Sequence, residues 1–258
     1  MFAAERQQFL KEYGHIRSAE GRGADDAEYY TSLPYVDRAR PNADQWAIRA
    51  RSFEYFERHI LPATPLDILD LGAGNCWLSY RLAQRHHRPV AVDIFTDTRD
   101  GLGAATRYPV RFVTVEAEFD SLPFPSASFD MAVFASSFHY STDYARTLRE
   151  VRRCLRPGGK VTIIDSPVYR LRAHGKLMVA ERHAFFEKTY GFRSDTVASK
   201  EYLDRQTLRD LSNELGIEWR VHRPWYGWQW HLRPWKAKLR GKRPPSNFWI
   251  LVAEFQPS

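Results

Sequence analysis

Three acids and two glycines are spaced so that they could hold a ligand. In "LDILDLGAGNCWLSYRLAQR", residues 66–85, Asp70 ends an aliphatic run, and Gly72 and Gly74 follow in a turn that opens a helix-like stretch. Asp93 ends the next aliphatic run nineteen residues past Gly74, where a carboxylate can accept both hydroxyls of a ribose. Glu118 follows the third run. A dinucleotide-binding turn would carry a third glycine where Trp77 stands, and a pyrophosphate would want Lys, Arg, Ser or Thr, none of which occupies 72–78. The acidic collar instead suits a cationic ligand, which weakens a nicotinamide-dependent oxidoreductase reading. His139 and Tyr140, in "SSFHYSTD" (136–143), are the titratable groups next to a fourth apolar run. His139 could serve as a base, orient a substrate or merely bond backbone, with Tyr140 as the alternative.

Apolar runs alternating with helical periodicity must position these residues. Strands are expected at 66–71, 89–94, 110–115, 129–135 and 160–165, and helices at 77–85, near 97–106 and at 143–155, the last ended by "RPGG". A helix near 205–215 and strands at 217–222 and 248–255 complete the pattern. Strand and helix in alternation predict a doubly wound α/β sheet, whose ligand crevice lies beyond the carboxyl ends of the strands. The helix in 42–60 places Trp46, Phe53, Phe56 and Ile60 near one face, with Ile48 or Arg49, and is expected to pack on the sheet and roof the crevice.

With 258 residues, 43% of them apolar, a single domain is expected, and no internal repeat is visible. No run of about 18 apolar residues occurs and the start carries charge throughout, so the reading is a cytoplasmic protein with neither a membrane span nor a signal peptide. The two cysteines, Cys76 and Cys154, lie in different elements, which argues against a disulfide or a thiolate metal site. Both are read as buried small hydrophobes. The formal charge of +7 allows an anionic partner or simply a solvated basic surface. No nucleic-acid recognition module is legible.

Taken together, Asp70, Gly72, Gly74, Asp93 and Glu118, with "LPFPSASFD" (122–130) and "TLREVRRCLRPGGKVTIID" (147–165), resemble the class I S-adenosylmethionine-dependent methyltransferases, in the branch called methyltransferase type 11. The likeness spans roughly 66–167 and implies a Rossmann-like, mostly parallel seven-stranded sheet with an antiparallel last strand. It divides the chain into a helical cap (1–62), a cofactor-binding core (63–167) and substrate-side helices with the last two strands (168–258). It implies S-adenosylmethionine as cofactor, S-adenosylhomocysteine as product, and no metal. Asp70 and the Gly72–Gly74 backbone would face the methionine part, Asp93 the ribose and Ile94 one adenine face. Glu118 would accept from the adenine amino group beside the backbone of Phe119, and Ser136 joins the cofactor set. Cys76 departs from the family, which often has another glycine there.

Methyl transfer needs an aligned nucleophile and only sometimes a base. The family's amino-methylating members carry Asn or Asp, Pro-Pro and an aromatic where this chain has "ASSFHY", and its cytosine-C5 members carry a cysteine there. The acceptor expected is a small molecule or a lipid-like compound, methylated at O, N or C. The alternatives are cofactor binding without catalysis and nucleic-acid methylation. Tyr30, Tyr35, Trp46, Arg49, Tyr169 and His174 are the candidate acceptor-pocket residues, drawn from stretches on either side of the core. Asp165 is expected to cap a turn with Ser166, and His86 and His87 to form a solvated helix end. Residues 223–245 ("RPWYGWQWHLRPWKAKLRGKRPP") hold four of the eight tryptophans and, from Arg233 to Arg243, six Lys or Arg with no acid. They are read as a lid, a peripheral docking surface for an anionic or lipid-like partner, or a satellite core. Their prolines argue against one continuous amphipathic helix.

Overall fold

The computed structural model describes residues 3–36 and 39–255. Asp37 and Arg38, in the N-terminal stretch expected to reach the crevice, lie outside the described residues. Three helices, α1 (Ala3–Ala19), α2 (Ala27–Ser32) and α3 (Ala43–His59), precede the sheet. The core then alternates: β1 (Asp67–Leu71), α4 (Trp77–Gln84), β2 (Arg88–Asp93), a 3₁₀ turn (Leu102–Arg107), β3 (Val113–Glu116), β4 (Phe129–Ala135), α5 (Tyr144–Cys154) and β5 (Leu155–Ile164). After it come β6 (Val168–Tyr169), α6 (Arg172–Tyr190), β7 (Leu203–Asp204), α7 (Arg205–Leu215), β8 (Ile217–His222), α8 (Trp228–His231), α9 (Arg233–Leu239) and β9 (Ile250–Phe255).

Seven strands form one sheet in the order β3-β2-β1-β4-β5-β9-β8. β1 to β5 pair in parallel, and β9 runs antiparallel to both of its neighbours. The strand order reverses between β1 and β4, which opens a crevice there. Central strands are covered on both faces and so read as unbroken apolar runs; Ile68, Leu69 and Leu71 are fully buried. β6 and β7 form a separate two-stranded parallel ladder that the sequence did not announce.

Helix starts follow local chemistry. The side chains of Asp26, Asp143 and Asp204 accept the N–H of Tyr29, Arg146 and Thr207, which satisfies otherwise orphaned donors at the starts of α2, α5 and α7. α5 buries Tyr144, Thr147, Leu148, Val151 and Cys154 at helical spacing and turns its arginines outward. Truncating the fully buried Leu148 to Ala would cost about 2–5 kcal/mol.

Three expectations need correction. "RPGG" does not separate α5 from the next strand: β5 begins at Leu155, opposite Phe129, and the motif forms an irregularity in the β4–β5 ladder before Lys160 pairs with Met131. His87 is buried, and its Nδ1 accepts the Leu66 N–H at 3.1 Å, so only His86 is exposed at that helix end. In the 223–245 segment Trp225, Trp228 and Trp235 are exposed, which excludes a satellite core built from all four tryptophans.

Candidate active site

The glycine turn is shaped by close approach. Gly72 has φ +71°, and a Cβ there would stand 2.3 Å from the Cβ of Ser137, so glycine is required on two counts. The N–H groups of Gly72 and Ala73 both bond the Val92 carbonyl, tying the turn to the end of β2. Asp93 completes the tie: its carboxylate accepts the N–H of Gly74 at 2.8 Å and of Phe95 at 2.9 Å. Each carboxylate oxygen keeps a second acceptor site. Burial raises the Asp93 pKa above the usual carboxylate value, while these N–H donors pull it back.

Gly72, Gly74, Asp93, Ile94, Glu118, Phe119 and Ser136 all line one cavity of about 650 Å³ at the crevice. Asp70 does not line it. It is fully buried and turns toward the start of α4, accepting from the N–H and hydroxyl of Ser79 through one oxygen. Its other oxygen has no partner among the described residues, and burial lifts its pKa to about 7. The acidic side of the cavity is therefore made by Asp93, Glu118 and Asp120.

Two strained residues close the opposite side. Ser136 and Asp165, just past the ends of β4 and β5, have φ of +62° and +54°, a region non-glycine residues occupy uncommonly. The Ser136 hydroxyl donates to the Asp165 carbonyl at 3.3 Å and faces Nη2 of Arg49 at 3.5 Å. Asp165 does not cap a turn with Ser166. It is buried, accepts from the Ser52 hydroxyl, and has its pKa raised to about 6 by burial. Ser166 instead places its hydroxyl 3.3 Å from Nδ1 of His139.

His139, Tyr140, Trp46 and Arg49 line the cavity. Enclosure, with Arg182 and Arg49 adding repulsion, lowers the His139 pKa from 6.5 to about 3, so its imidazole is neutral at ordinary pH. Arg49 lies over the Trp46 ring, 4.6 Å from its centroid. Burial, with help from Arg22 and Arg17, lowers its pKa to about 10, which leaves it charged at neutral pH. The other cavity arginines have acids: Arg17 pairs with Asp100, Arg22 with Glu20 and Arg182 with Glu201. Arg49 makes no ion pair among the described residues.

Four of the expected acceptor residues are placed elsewhere. Tyr30 is fully buried, its hydroxyl bonded to the carbonyls of Ala24 and Arg99. Tyr35 is exposed beside Arg81. Tyr169 is buried and accepts from Arg243, and His174, in the first turn of α6, is absent from the lining. Their places are taken by Phe9, Tyr13 and Ile16 of α1, Arg182 and Phe186 of α6, and Ser194 with residues 196–199. Phe9, Tyr13 and Ile16 stand at helical spacing and were legible as one face. Ser194 and residues 196–199 carry no such signal, because they reach the site through backbone bonds just beyond them, Lys200 N–H to Ser141 and Glu201 N–H to His139.

Residues 69–163 match the family model described as a methyltransferase domain. Those residues thus form a methyltransferase domain with the class I S-adenosylmethionine-dependent fold. An uncharacterized methyltransferase of Mycobacterium tuberculosis is 37% identical over 162 residues, which cover 59% of this chain and 65% of that protein. The demethylmenaquinone methyltransferase of Thermus thermophilus is 33% identical over 114 residues, 42% of this chain and 50% of the relative. The match thus spans less than two thirds of one relative and half of the other. A solved S-adenosylmethionine-dependent methyltransferase from Mesorhizobium loti shares the fold, with TM-score 0.56 and 20% identity over 82% of this chain and 97% of that one.

The residues present fit the methyltransferase cofactor. Asp93 keeps acceptor capacity toward the cavity, Gly72 leaves open the approach that a Cβ would fill, and acids on the β2–β3 side suit a sulfonium cation. Cys76 sits in the turn with its thiol buried and its pKa pushed well up by burial, so it is a neutral filler. Among the described residues no group of three or more His, Cys, Asp or Glu is arranged to hold a metal ion. No described helix is long and apolar enough to cross a membrane.

Proposed function

We propose that this chain transfers a methyl group from S-adenosylmethionine to a small aromatic acceptor that bears an ionisable hydroxyl, at the ring carbon beside that hydroxyl. The observation that carries the reading is Arg49, a half-buried cation without an ion pair among the described residues, beside neutral His139 in a chamber walled by Tyr13, Trp46 and Phe186. Aromatic walls hold a flat ring, and a desolvated guanidinium favours its ionised hydroxyl. Relatives named demethylmenaquinone methyltransferase and ubiquinone/menaquinone biosynthesis C-methyltransferase lend support through the activities in their names.

The cofactor, when bound, supplies an electrophilic methyl group on a positively charged sulfur. Asp93 and Glu118 would hold its ribose and adenine, with Ile94 and Phe119 against the base. Arg49 would stabilise the phenolate oxygen, whose charge delocalises onto the adjacent ring carbon and makes it nucleophilic; once that carbon is methylated its ring proton would leave to solvent, which restores the aromatic ring. A pKa near 3 makes His139 a poor proton acceptor, so its part is to orient the acceptor by hydrogen bonding, with Ser166 steadying the ring.

Purified protein with methyl-labelled donor should label reduced hydroquinones at carbon. Arg49→Met should raise the acceptor KM by at least about tenfold while cofactor affinity stays within about twofold. Transfer confined to amines or carboxylic acids would overturn the reading.

A further inference from the structure

Between β8 and β9 the chain runs through two short helices that nearly continue one another. Leu232, their junction, has right-handed helical angles; its N–H bonds the Trp228 carbonyl at 3.0 Å, and its carbonyl accepts the Lys236 N–H at 3.0 Å. Pro234 falls in the first turn of α9, where a missing N–H costs little. The prolines therefore flank or start the helical pieces, and a single amphipathic surface survives them. Trp228, Leu232, Trp235 and Leu239 recur at intervals of four, three and four residues, and are 75%, 47%, 69% and 86% exposed. At about 100° per residue they form one stripe, flanked on either side by Lys236 and Lys238, with Trp230 opposite. Trp230 faces the protein, where it packs on Tyr226 and Phe248 with Arg233 over its ring.

Such a stripe is costly to leave in water, and its charge pattern specifies what covers it. Residues 223–245 contain no acid. Arg233 donates to the Ser246 carbonyl and Arg243 pairs with Glu181, whereas Lys236, Lys238, Arg240 and Lys242 make no ion pair among the described residues. Large apolar side chains along one helix face, bordered by unpaired cations, match a helix lying in a bilayer interface rather than a dry protein contact, where lysine is unfavourable. We propose that residues 228–242 dock this protein on an anionic phospholipid surface. The tryptophans and leucines enter the headgroup boundary, and the four free cations meet lipid phosphates. The segment is anchored to the body through Tyr226, whose hydroxyl bonds the Phe248 carbonyl at 2.8 Å and Ser52 of α3 at 2.9 Å. α3 also supplies Trp46 and Arg49 to the cavity, so docking sets the orientation of the cavity roof relative to the membrane. This surface does not depend on which acceptor, if any, is methylated.

Flotation of the whole chain with phosphatidylcholine vesicles, with and without phosphatidylglycerol, at low and physiological salt, tests it. Binding should require the anionic lipid, weaken with salt and shift tryptophan emission to the blue. Exchange of Lys236, Lys238, Arg240 and Lys242 for Ser should lower partitioning at least tenfold, and so should Trp228→Ser with Trp235→Ser. Retained S-adenosylhomocysteine binding would show that both variants are folded, and the salt and lipid dependence of the unaltered chain stands without them. Absence of binding to anionic vesicles at both salt levels, equal binding to neutral vesicles, or tighter binding to a duplex oligonucleotide than to vesicles would overturn the proposal.

Discussion

The carboxylate of Asp93 accepts the backbone N–H of Gly74 at 2.8 Å, so the acid that ends β2 also holds the turn that follows β1. One residue thus shapes the loop and presents acceptor sites to the cavity. Asp93→Ala should weaken S-adenosylhomocysteine binding by about thirtyfold or more, since charge-assisted bonds to two hydroxyls are worth about 2–4 kcal/mol. Isothermal titration of both proteins checks this, and equal affinities would remove Asp93 from the cofactor site.

Gly72 has no room for a side chain. Gly72→Ala must move either the turn or Ser137, because the added carbon would meet the Ser137 Cβ at 2.3 Å in a backbone region that already costs a non-glycine residue about 1–2 kcal/mol. A lowered melting temperature and loss of cofactor binding are expected together. A variant that melts and binds like the parent would show that the turn relaxes freely.

Neutral His139 has a kinetic signature. A pKa of about 3 leaves no histidine limb near pH 6.5 in the rate profile. His139→Ala should slow turnover, and His139→Gln, which keeps hydrogen-bonding capacity, should recover part of it. An inflection between pH 6 and 7 that disappears in His139→Gln would make His139 a general base instead.

Buried acids should make the unliganded protein less stable as pH rises. Asp70, at about 7, and Asp165, at about 6, bind protons more tightly folded than at their ordinary value of 3.8. From about pH 4 to 7 the folded state holds more protons than the unfolded one, so this contribution is present at low pH and is lost as pH climbs through the folded values. Asp70→Asn removes the cost of a buried charge while an amide oxygen still accepts from Ser79. Urea unfolding should find the variant more stable than the parent at pH 8, with the difference shrinking at pH 5. A difference that does not change with pH would mean that Asp70 does not titrate in this range.

The collar and the sheet were legible because they depend on neighbours in sequence. An apolar run buried on both faces, a turn that tolerates only glycine at Gly72 and an acid at a strand end are each specified within a few residues, and β4 and α7 fall where periodicity puts them. Asp70 was misplaced for a reason local patterns cannot show. An acid next to a glycine turn can face the ligand or the following helix, and the Ser79 hydroxyl nine residues on draws it to the helix.

The roof and the acceptor wall were decided only by tertiary packing. Tyr30 and Tyr13 are equally plausible as ligand-facing aromatics in the sequence, but Tyr30 is drawn into the core by carbonyls of Ala24 and Arg99, while Tyr13 meets Phe95 and Tyr140 at the cavity edge. Which face a roof helix turns inward depends on side chains far away along the chain, so the same heptad of residues reads alike in either rotation. Arg49 shows the same limit from the other side. Its type and helical position are visible in the sequence, but its place over Trp46 without an ion pair among the described residues, beside the strained Ser136, exists only once β4, β5 and α3 have come together.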